Sequence, residues 1–393
     1  MNPHERRSHQ TRVGFWPIFA TILLIVFAAV TALRFTRGLG ATTNLSDQFP
    51  WGLWIGFDVL CGVGLAAGAF TLTATVHIFN LRRFEPIVRP TLLTGFIGYL
   101  FVIVALMFDL GQPWRIWHAL VFWNPHSVMF EVAWCVMLYT TVLALEFSPV
   151  VFEKLRLERP RRVLQAIGTP LVICGVLLST LHQSSLGSLY LIVPEKLHPL
   201  WYTPLLPVLF FMSAVGAGIG MIIVESYLSK RAFGRHVEMA LLEPLARGMA
   251  VALGIYGLLR LQTLAGSGAL ASLRNPGYEE WMFLLEMTLG VLLPVGLLAS
   301  FRIRNSERGL VIAGVFAVLG LVINRLNVSV TGMEAAAGER YVPSWMEITV
   351  SVGLVALAMI AFGAAVRYLP IFTTESTPPT PRSAASMSSV ERC

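Results

Sequence analysis

Charged residues are scarce in this sequence. Asp, Glu, Lys and Arg together make up 13% of its 393 residues, whereas hydrophobic residues make up 55%. Soluble domains carry about 25% charged residues. This composition therefore excludes a soluble globular protein and predicts a membrane protein.

Cysteine is also rare, and its spacing excludes several kinds of metal site. Three of the four cysteines, Cys61, Cys135 and Cys174, fall inside apolar runs, and Cys393 ends a polar tail. No two of them form a C-x-x-C motif, which is the usual spacing in iron–sulfur and structural zinc sites. We therefore expect no iron–sulfur cluster, no zinc and no disulfide in this chain.

Histidines are missing from the middle of the apolar runs. A b-type haem inside a membrane normally needs two histidines within the spans as axial ligands. The eight histidines are expected near the membrane surfaces, with His4, His9, His77 and His236 on the inner side and His118, His126, His182 and His198 on the outer side. We therefore expect no haem in this chain.

Long apolar runs are what the sequence has in abundance. Ten runs of about 18 residues or more are long enough to cross a bilayer as helices. They lie at 15–33, 52–78, 91–108, 127–147, 163–181, 205–227, 245–264, 282–301, 309–324 and 345–368. The first is too long for a secretory signal, so we interpret it as a retained span. The runs predict an all-α, polytopic membrane protein.

The runs also divide the chain into three parts. We expect a cytoplasmic N-terminus at 1–14, a transmembrane domain at 15–370 and a disordered cytoplasmic tail, rich in Ser, Thr and Pro, at 371–393. Within the transmembrane domain, spans two to five and spans six to nine would form two four-helix bundles, accompanied by the first and last helices.

Lys and Arg are distributed asymmetrically. The formal net charge is +7, and most of the 29 Lys and Arg residues fall in the two termini and in alternate connections, which share one side of the membrane. The positive-inside rule assigns that side to the cytoplasm. We predict that both termini lie on the cytoplasmic side of the membrane. The charge then needs no nucleic-acid partner, and membrane lipids are the expected surroundings.

Four acidic residues fall in the outer halves of predicted spans: Asp58, Glu131, Glu286 and Glu347. A carboxylate at membrane depth costs roughly 2.5–3.5 kcal/mol, so it has to be paired, protonated or turned toward a watered cavity. We predict that the four acids surround a polar pocket open to the outer side. The alternative is that each acid bonds a neighbouring helix.

Other polar and aromatic residues accompany these acids. Tyr99 is expected near mid-membrane in the third span, where its hydroxyl needs a partner and could extend a proton path from Glu131. Trp54 lies four residues before Asp58, so the two can share a helix face. His182 and Gln183 would supply donors at the mouth of the pocket. The alternatives are simple packing for Tyr99 and a capped helix end in water for His182.

Several long segments resemble one known family of membrane proteins. These segments are FPWGLWIGFDVLCGVGLAAGAF, HSVMFE, TLHQSSLGSL and HPLWYTPLLP. They are similar to signature segments of the NrfD/PsrC family, the membrane subunits of polysulfide reductases. They are most similar to its HybB-like branch, the integral membrane subunits of hydrogenase-2-type complexes. The resemblance covers roughly residues 15–370.

The resemblance implies a quinone-reactive subunit of a respiratory oxidoreductase, without hydrogen chemistry of its own. It also implies a bacterial inner membrane whose periplasmic face is the functional one. At that outer face a ferredoxin-like four-cluster iron–sulfur subunit would pass electrons from the large and small subunits of a nickel–iron hydrogenase to menaquinone or ubiquinone. Asp58, His182 and Gln183 would bind the quinone carbonyls, Trp54 would pack on the ring, and Asp58, Glu131 and Tyr99 would relay protons. Proton translocation would be an additional activity.

Three alternatives remain open at this stage. The partner could be a molybdenum enzyme or a multihaem cytochrome, because partner-specific residues would lie only in loops. A secondary transporter usually has broken helices at matched positions of its repeats, and Pro170 and Pro294 do not correspond in this way. A membrane anchor without chemistry would bind no quinone.

Overall fold

The computed structural model describes residues 15–234 and 239–372. Within these residues the fold contains ten helices long and apolar enough to cross a membrane, and no strand. We number them α1 (Phe15–Arg37), α2 (Trp54–His77), α3 (Glu85–Asp109), α4 (Val128–Lys154), α5 (Gly168–Ser188), α6 (Leu206–Phe233), α7 (Met239–Ser267), α8 (Tyr278–Ala299), α9 (Glu307–Ala337) and α10 (Trp345–Tyr368).

The connections contain shorter helices. Three of them are α-helical: His118–Val121, Glu158–Ala166 and Phe301–Arg304. The 3-10 turns are Leu39–Ala41, Arg82–Phe84, Pro113–Arg115, Pro194–Lys196 and Ala269–Arg274. The predicted N-terminal segment 1–14, His236 and the predicted tail beyond residue 372 lie outside the described residues.

The prediction of an all-α protein with ten spans is confirmed. The boundaries differ most for α9, which continues to Ala337 rather than ending at 324, and for α5, which runs from Gly168 to Ser188 rather than over 163–181. The polar sequence after Leu181 suggests a loop, but Ser184 and Ser185 bond their hydroxyls to the carbonyl oxygens of Thr180 and Leu181 one turn back. Because these hydroxyl groups find hydrogen-bond acceptors within the helix, α5 continues past Leu181 and includes His182.

Local signals explain several helix ends. The capping box at the start of α10 joins Ser344 and Glu347: Glu347 N donates to Ser344 Oγ at 3.1 Å, and Ser344 N donates to Glu347 Oε2 at 2.8 Å. Gly234 follows α6 at φ +65°, a conformation that glycine adopts without strain. At the end of α3, Arg34 of α1 donates to the carbonyl oxygens of Phe108 and Leu110, each at 2.7 Å.

Helix α2 lies at the centre of the molecule and packs against α3, α5 and α6. Helices α3, α4 and α5 pack in sequence on one side, while α6, α7, α8 and α9 pack in sequence on the other, and α10 packs against α1 and α3. The contact between α2 and α6 is as extensive as that between α2 and α3. The division into two separate four-helix bundles therefore stays a prediction.

The contact between α2 and α6 is made by backbone. A Cβ atom added at Gly68 would lie 2.6 Å from the carbonyl oxygen of Gly218, and a side chain at Gly218 would collide with the backbone of α2 at Ala67 and Gly68. Small residues allow helices in membranes to approach this closely. Any larger side chain at either position would push the two helices apart.

Three of the spanning helices contain a π-helical turn: Trp54–Val59 in α2, Thr288–Leu292 in α8 and Asn327–Thr331 in α9. Such turns are rare and are found mainly at functional sites. The turn in α2 contains Asp58, the turn in α8 follows Glu286, and Asn327 in the third bonds Glu286. The irregular turns thus accompany the buried acids.

Candidate functional site

The six predicted site residues fall into two groups in the structure. Trp54 and Asp58 lie on the side of α2 that faces α10. Tyr99, Glu131, His182 and Gln183 belong to α3, α4 and α5, on the other side of α2. These residues therefore form two polar regions in the structure and not the predicted single pocket.

Asp58 is nearly buried, at 9% exposure, and forms a short contact with α10. Ser351 Oγ donates to Asp58 Oδ2 at 2.5 Å. The carboxylate also lines a cavity, together with Cys61 one turn further along α2. Asp58 is thus an acid held by one hydroxyl at the wall of a cavity.

Trp54 is enclosed by its neighbours and does not line this cavity. Its side chain is 1% exposed and packs edge-on against Phe108, with ring centroids 5.9 Å apart. Its indole Nε1 donates to the carbonyl oxygen of Glu347 at 3.2 Å. The predicted common face of Trp54 and Asp58 is not realised around the cavity, because apolar residues of α1, α3 and α10 surround the indole. Trp54 ties the first turn of α2 to α10.

The cavity beside Asp58 has a volume of about 430 Å³ and lies among α2, α3, α6 and α10. Its lining is apolar apart from Asp58, Cys61, Thr94, Glu225 and Ser229. Glu225 of α6 is 9% exposed, the Thr94 side chain lies beside it, and its Oε2 has no hydrogen-bond partner among the described residues. The cavity thus has one acid in the α2 turn and a second acid near the end of α6.

The second region is a buried pair of Tyr99 and His182. The Tyr99 hydroxyl and His182 Nδ1 lie 3.0 Å apart, in hydrogen-bond contact, and both side chains are 0% exposed. The Tyr139 ring lies edge-on to Tyr99, with centroids 4.6 Å apart. His182 Nε2 has no hydrogen-bond partner among the described residues. The sequence predicts His182 at the outer surface, whereas the extended α5 places it inside the helix bundle, at the depth of Tyr99.

Gln183 and Glu131 adjoin this pair. Gln183 Nε2 donates to the carbonyl oxygen of Val63 at 3.1 Å, and its Oε1 is without a partner in the described part of the chain. Glu131 is exposed, and Ser185 Oγ lies 2.6 Å from its Oε1 and 2.7 Å from the carbonyl oxygen of Leu181, so the two acceptors share the one hydroxyl proton. A row of polar groups therefore leads from exposed Glu131 to buried His182.

The row continues toward the other end of α4 through Glu146. A Cβ atom at Gly175 would lie 3.3 Å from Glu146 Oε1 and 3.7 Å from the Tyr139 ring, so the carboxylate lies beside that ring. Glu146 Oε1 is buried, and no described residue bonds it. Sequence reasoning missed Glu146 and Glu225 because both stand at the inner ends of apolar runs, where acids are commonly solvated. Ser351 and Tyr139 carried no signal of their own.

The remaining two predicted acids are bonded within the protein. Glu286 accepts hydrogen bonds from Trp201 Nε1 at 2.9 Å, Asn327 Nδ2 at 2.9 Å, Asn324 Nδ2 at 2.8 Å and the Tyr256 hydroxyl at 3.3 Å. The alternative interpretation of the sequence, that an acid bonds neighbouring helices, therefore describes Glu286.

Glu347 has a similar structural environment. It accepts from the backbone nitrogens of Asn44 at 3.0 Å and Ser344 at 2.8 Å and from the Tyr341 hydroxyl. Tyr341 lies in the connection before α10, where burial and the neighbouring carboxylate raise the pKa of its phenol above the usual value. Glu347 thus fastens the start of α10 to the connections beside it.

Comparison with known proteins shows which family this chain resembles. The family model described as "Polysulphide reductase, NrfD" matches residues 41–337. A protein of Nitratidesulfovibrio vulgaris is 40% identical, with coverage of 90% of this chain and 93% of its own. The "Probable Ni/Fe-hydrogenase 2 b-type cytochrome subunit" of Escherichia coli is 33% identical, covering 89% and 90%. The "Menaquinone reductase, integral membrane subunit" of N. vulgaris is 30% identical, covering 89% of each chain.

The description of the E. coli relative raises the question of a haem. Among the histidines in described residues, only His182 is fully buried, and its Nδ1 is engaged by Tyr99. His77 lies at the end of α2, where its Nδ1 is 3.2 Å from the carbonyl oxygen of Thr73. A b-type haem needs two facing axial ligands. The donor set of the described residues does not fit this requirement.

Proposed function

Because the chain belongs to the NrfD family, we propose that it is the quinone-interacting membrane subunit of a respiratory oxidoreductase complex. The relatives described as a menaquinone reductase subunit and as a hydrogenase 2 subunit support this proposal. When bound, menaquinone or ubiquinone would take up two electrons and two protons. The chain's own residues then have to bind the ring, orient it and supply protons.

The observation that carries the proposal is the position of Asp58 in the wall of a large apolar cavity. A quinone has a flat ring with polar carbonyl groups and a long apolar chain, and this cavity combines the carboxyl group of Asp58 with apolar walls. Pockets for small molecules typically show this combination of apolar lining and few polar groups. Protonated Asp58 would donate to one carbonyl, while Ser351 would hold the carboxyl group in place through its bond to Oδ2.

The Tyr99–His182 region would carry protons. Glu131 is exposed, Ser185 bonds it, and the Tyr99–His182 pair follows further inside, so hydrogen-bonding groups succeed one another into the bundle. His182 and Gln183 each keep one polar atom without a partner in the described chain, as groups that exchange protons or bind a ligand do. Trp54 would support Asp58 from the adjacent turn rather than stack on the ring.

We propose a nickel–iron hydrogenase as the catalytic partner, following the E. coli relative. Its large and small subunits would deliver electrons through a ferredoxin-like four-cluster iron–sulfur subunit at the periplasmic face of a bacterial inner membrane, with both termini of this chain inside. Trp114, Trp117 and Trp123 of the connection between α3 and α4 are 65%, 50% and 66% exposed, and they offer an aromatic surface for that subunit.

The test is the substitution Asp58→Asn in the purified complex. General acid–base groups contribute at least about 100-fold to rates, so hydrogen-dependent quinone reduction should fall by roughly that factor while the partner subunits still co-purify. Asp47→Asn is the matched control, because Asp47 is an exposed acid of the preceding connection. Wild-type turnover and unchanged bound quinone in Asp58→Asn would refute the role of Asp58. A wild-type complex that contains and reduces no quinone would instead identify an anchor.

A further inference from the structure

The cavity beside Asp58 is elongated along the helices. On α2 its lining begins at Phe57, and on α6 it ends at Phe233. Gly68 and Gly218 are in contact, Asp58 lies ten residues before Gly68, and Glu225 lies seven residues after Gly218. At a rise of 1.5 Å per residue, the two acids are about 25 Å apart along the parallel helices α2 and α6. The hydrocarbon layer of a bilayer is about 30 Å thick, so the cavity extends through most of it.

The cavity is also open toward the lipid. It separates α6 from α10, which do not pack extensively against each other. Leu228 of α6 and Met359 of α10 line it and are 50% and 66% exposed, so they form rims at the protein surface. A ligand can therefore enter sideways from the bilayer without passing through the predicted outer surface.

The lining between the two acids is mostly apolar. Small residues Gly62, Ala66 and Gly98 form the floor on α2 and α3, and apolar side chains of α6 and α10 form the walls. Polar groups stand at both ends: Asp58, which accepts from Ser351 behind the wall, at one end, and Glu225, beside Thr94 and Ser229, at the other. Burial of each CH₂ group in such walls contributes about 0.8 kcal/mol. With the ring placed at Asp58 by the proposed function, the apolar stretch toward Glu225 offers these walls to a long hydrocarbon chain.

We propose that this cavity is the binding groove for the isoprenoid chain of the quinone, with the ring at Asp58 and the chain between α6 and α10. The inference rests on the proposed function and adds that the protein selects quinones by their chain. A long-chain quinone would gain binding energy along the groove, whereas a naphthoquinone without a chain would contact only the Asp58 end.

Two groove-filling variants test this inference. Gly363 lines the groove, and a Cβ atom there meets no atom within 4 Å, so Gly363→Phe adds a ring at the groove wall from a free Cβ position. Ala358 also lines the groove, so Ala358→Phe adds a ring nearer to Asp58. Gly254→Phe is the matched control, because a Cβ atom at Gly254 is equally free and the residue lies on α7, outside the groove.

The purified complexes would be compared with menaquinone carrying its isoprenoid chain and with menadione, which has none. We expect both groove variants to raise the KM for the long-chain quinone, and to lower the quinone extracted from the complex, by at least about tenfold, the loss of roughly two buried CH₂ groups. Menadione kinetics should stay within about twofold by the same reasoning, and Gly254→Phe should match the wild type.

The outcomes separate the inference from the proposed function. Equal effects on both quinones, or no effect on either, would overturn the groove assignment while leaving quinone chemistry intact. Extraction of a phospholipid that the groove variants displace, with unchanged long-chain quinone content, would overturn it too. A wild-type complex that reduces neither quinone would refute the proposed function, and the inference with it.

Discussion

Two buried polar regions of this protein differ in how completely their hydrogen bonds are made. In the helices α7, α8 and α9, Glu286 accepts from four side-chain donors of Trp201, Tyr256, Asn324 and Asn327. Among α2–α5, His182 Nε2, Gln183 Oε1 and Glu146 Oε1 have no partner in the described chain. The Glu286 carboxylate has four donors, although Arg325 Nε beside Asn324 lacks a partner in the described chain. A carboxylate bonded in this way fixes its surroundings, whereas buried groups with free hydrogen-bonding capacity are typical of sites that bind or exchange something.

The largest effect is expected from removing Glu286, the acceptor at the centre of the hydrogen-bonded network. Glu286→Ala would remove an acceptor shared by four buried donors. Asn327 and Asn324 would keep Met282 O and the Tyr256 hydroxyl as acceptors, whereas Trp201 Nε1 and the Tyr256 hydroxyl would lose theirs, and each group left unpaired costs about 1–3 kcal/mol. We expect the free energy of unfolding to fall by several times that of a typical surface substitution, measured as a large drop in the thermal transition of the purified complex. An unchanged transition combined with lost quinone turnover would show that Glu286 serves the reaction instead.

The matching change in the incompletely bonded region should act on turnover rather than stability. Tyr99→Phe keeps the packed ring and removes the hydroxyl next to His182. We expect quinone turnover to fall roughly 100-fold, the lower range for a proton-transferring group, with a loss of about 1 kcal/mol in stability, the net worth of one hydrogen bond. Tyr139→Phe, in the neighbouring ring, is the control for packing. Normal turnover in Tyr99→Phe would remove this tyrosine from the proton path.

The finest comparison uses two amides of similar size. Gln183→Leu removes one hydrogen bond, to the carbonyl oxygen of Val63, and should change the free energy of unfolding by less than about 1 kcal/mol. Asn327→Leu deprives Glu286 of a donor and should cost about 1–3 kcal/mol. Denaturation of the two variants in one detergent provides the measurement. Equal losses would mean that the two regions do not differ in the way their hydrogen bonds suggest.

The number and type of the helices could be predicted from the sequence because each span needs about 20 apolar residues of its own. The polar groups were harder to place. Asp58 could be identified as a buried acid from its position in an apolar run, but its partner Ser351 lies 293 residues away, and no local pattern joins them. His182 was placed at the surface because local hydropathy ends there, whereas its serine neighbours keep the helix intact.

The sequence could not distinguish the fates of the acids either. Glu286, Glu347 and Asp58 look alike in apolar surroundings, and only the packing of distant helices decides which acid receives four donors and which faces a cavity. Glu146 and Glu225 stand where an apolar run ends, so their burial depends on how far α4 and α6 continue. Tertiary packing decides which side chains meet across the bundle, and the hydropathy of the sequence carries no information on these contacts.

The contact of Gly68 with Gly218 has a mechanical consequence. A layer of side chains between two helices can absorb a small shift of one helix, because the rotamers adjust. Here the two backbones are in direct contact, so no side-chain layer separates α2, which carries Asp58, from α6, which carries Glu225. A displacement of one helix, whether driven by a docked partner or by a bound chain, therefore displaces the other helix as well. Asp58 and Glu225 then move together.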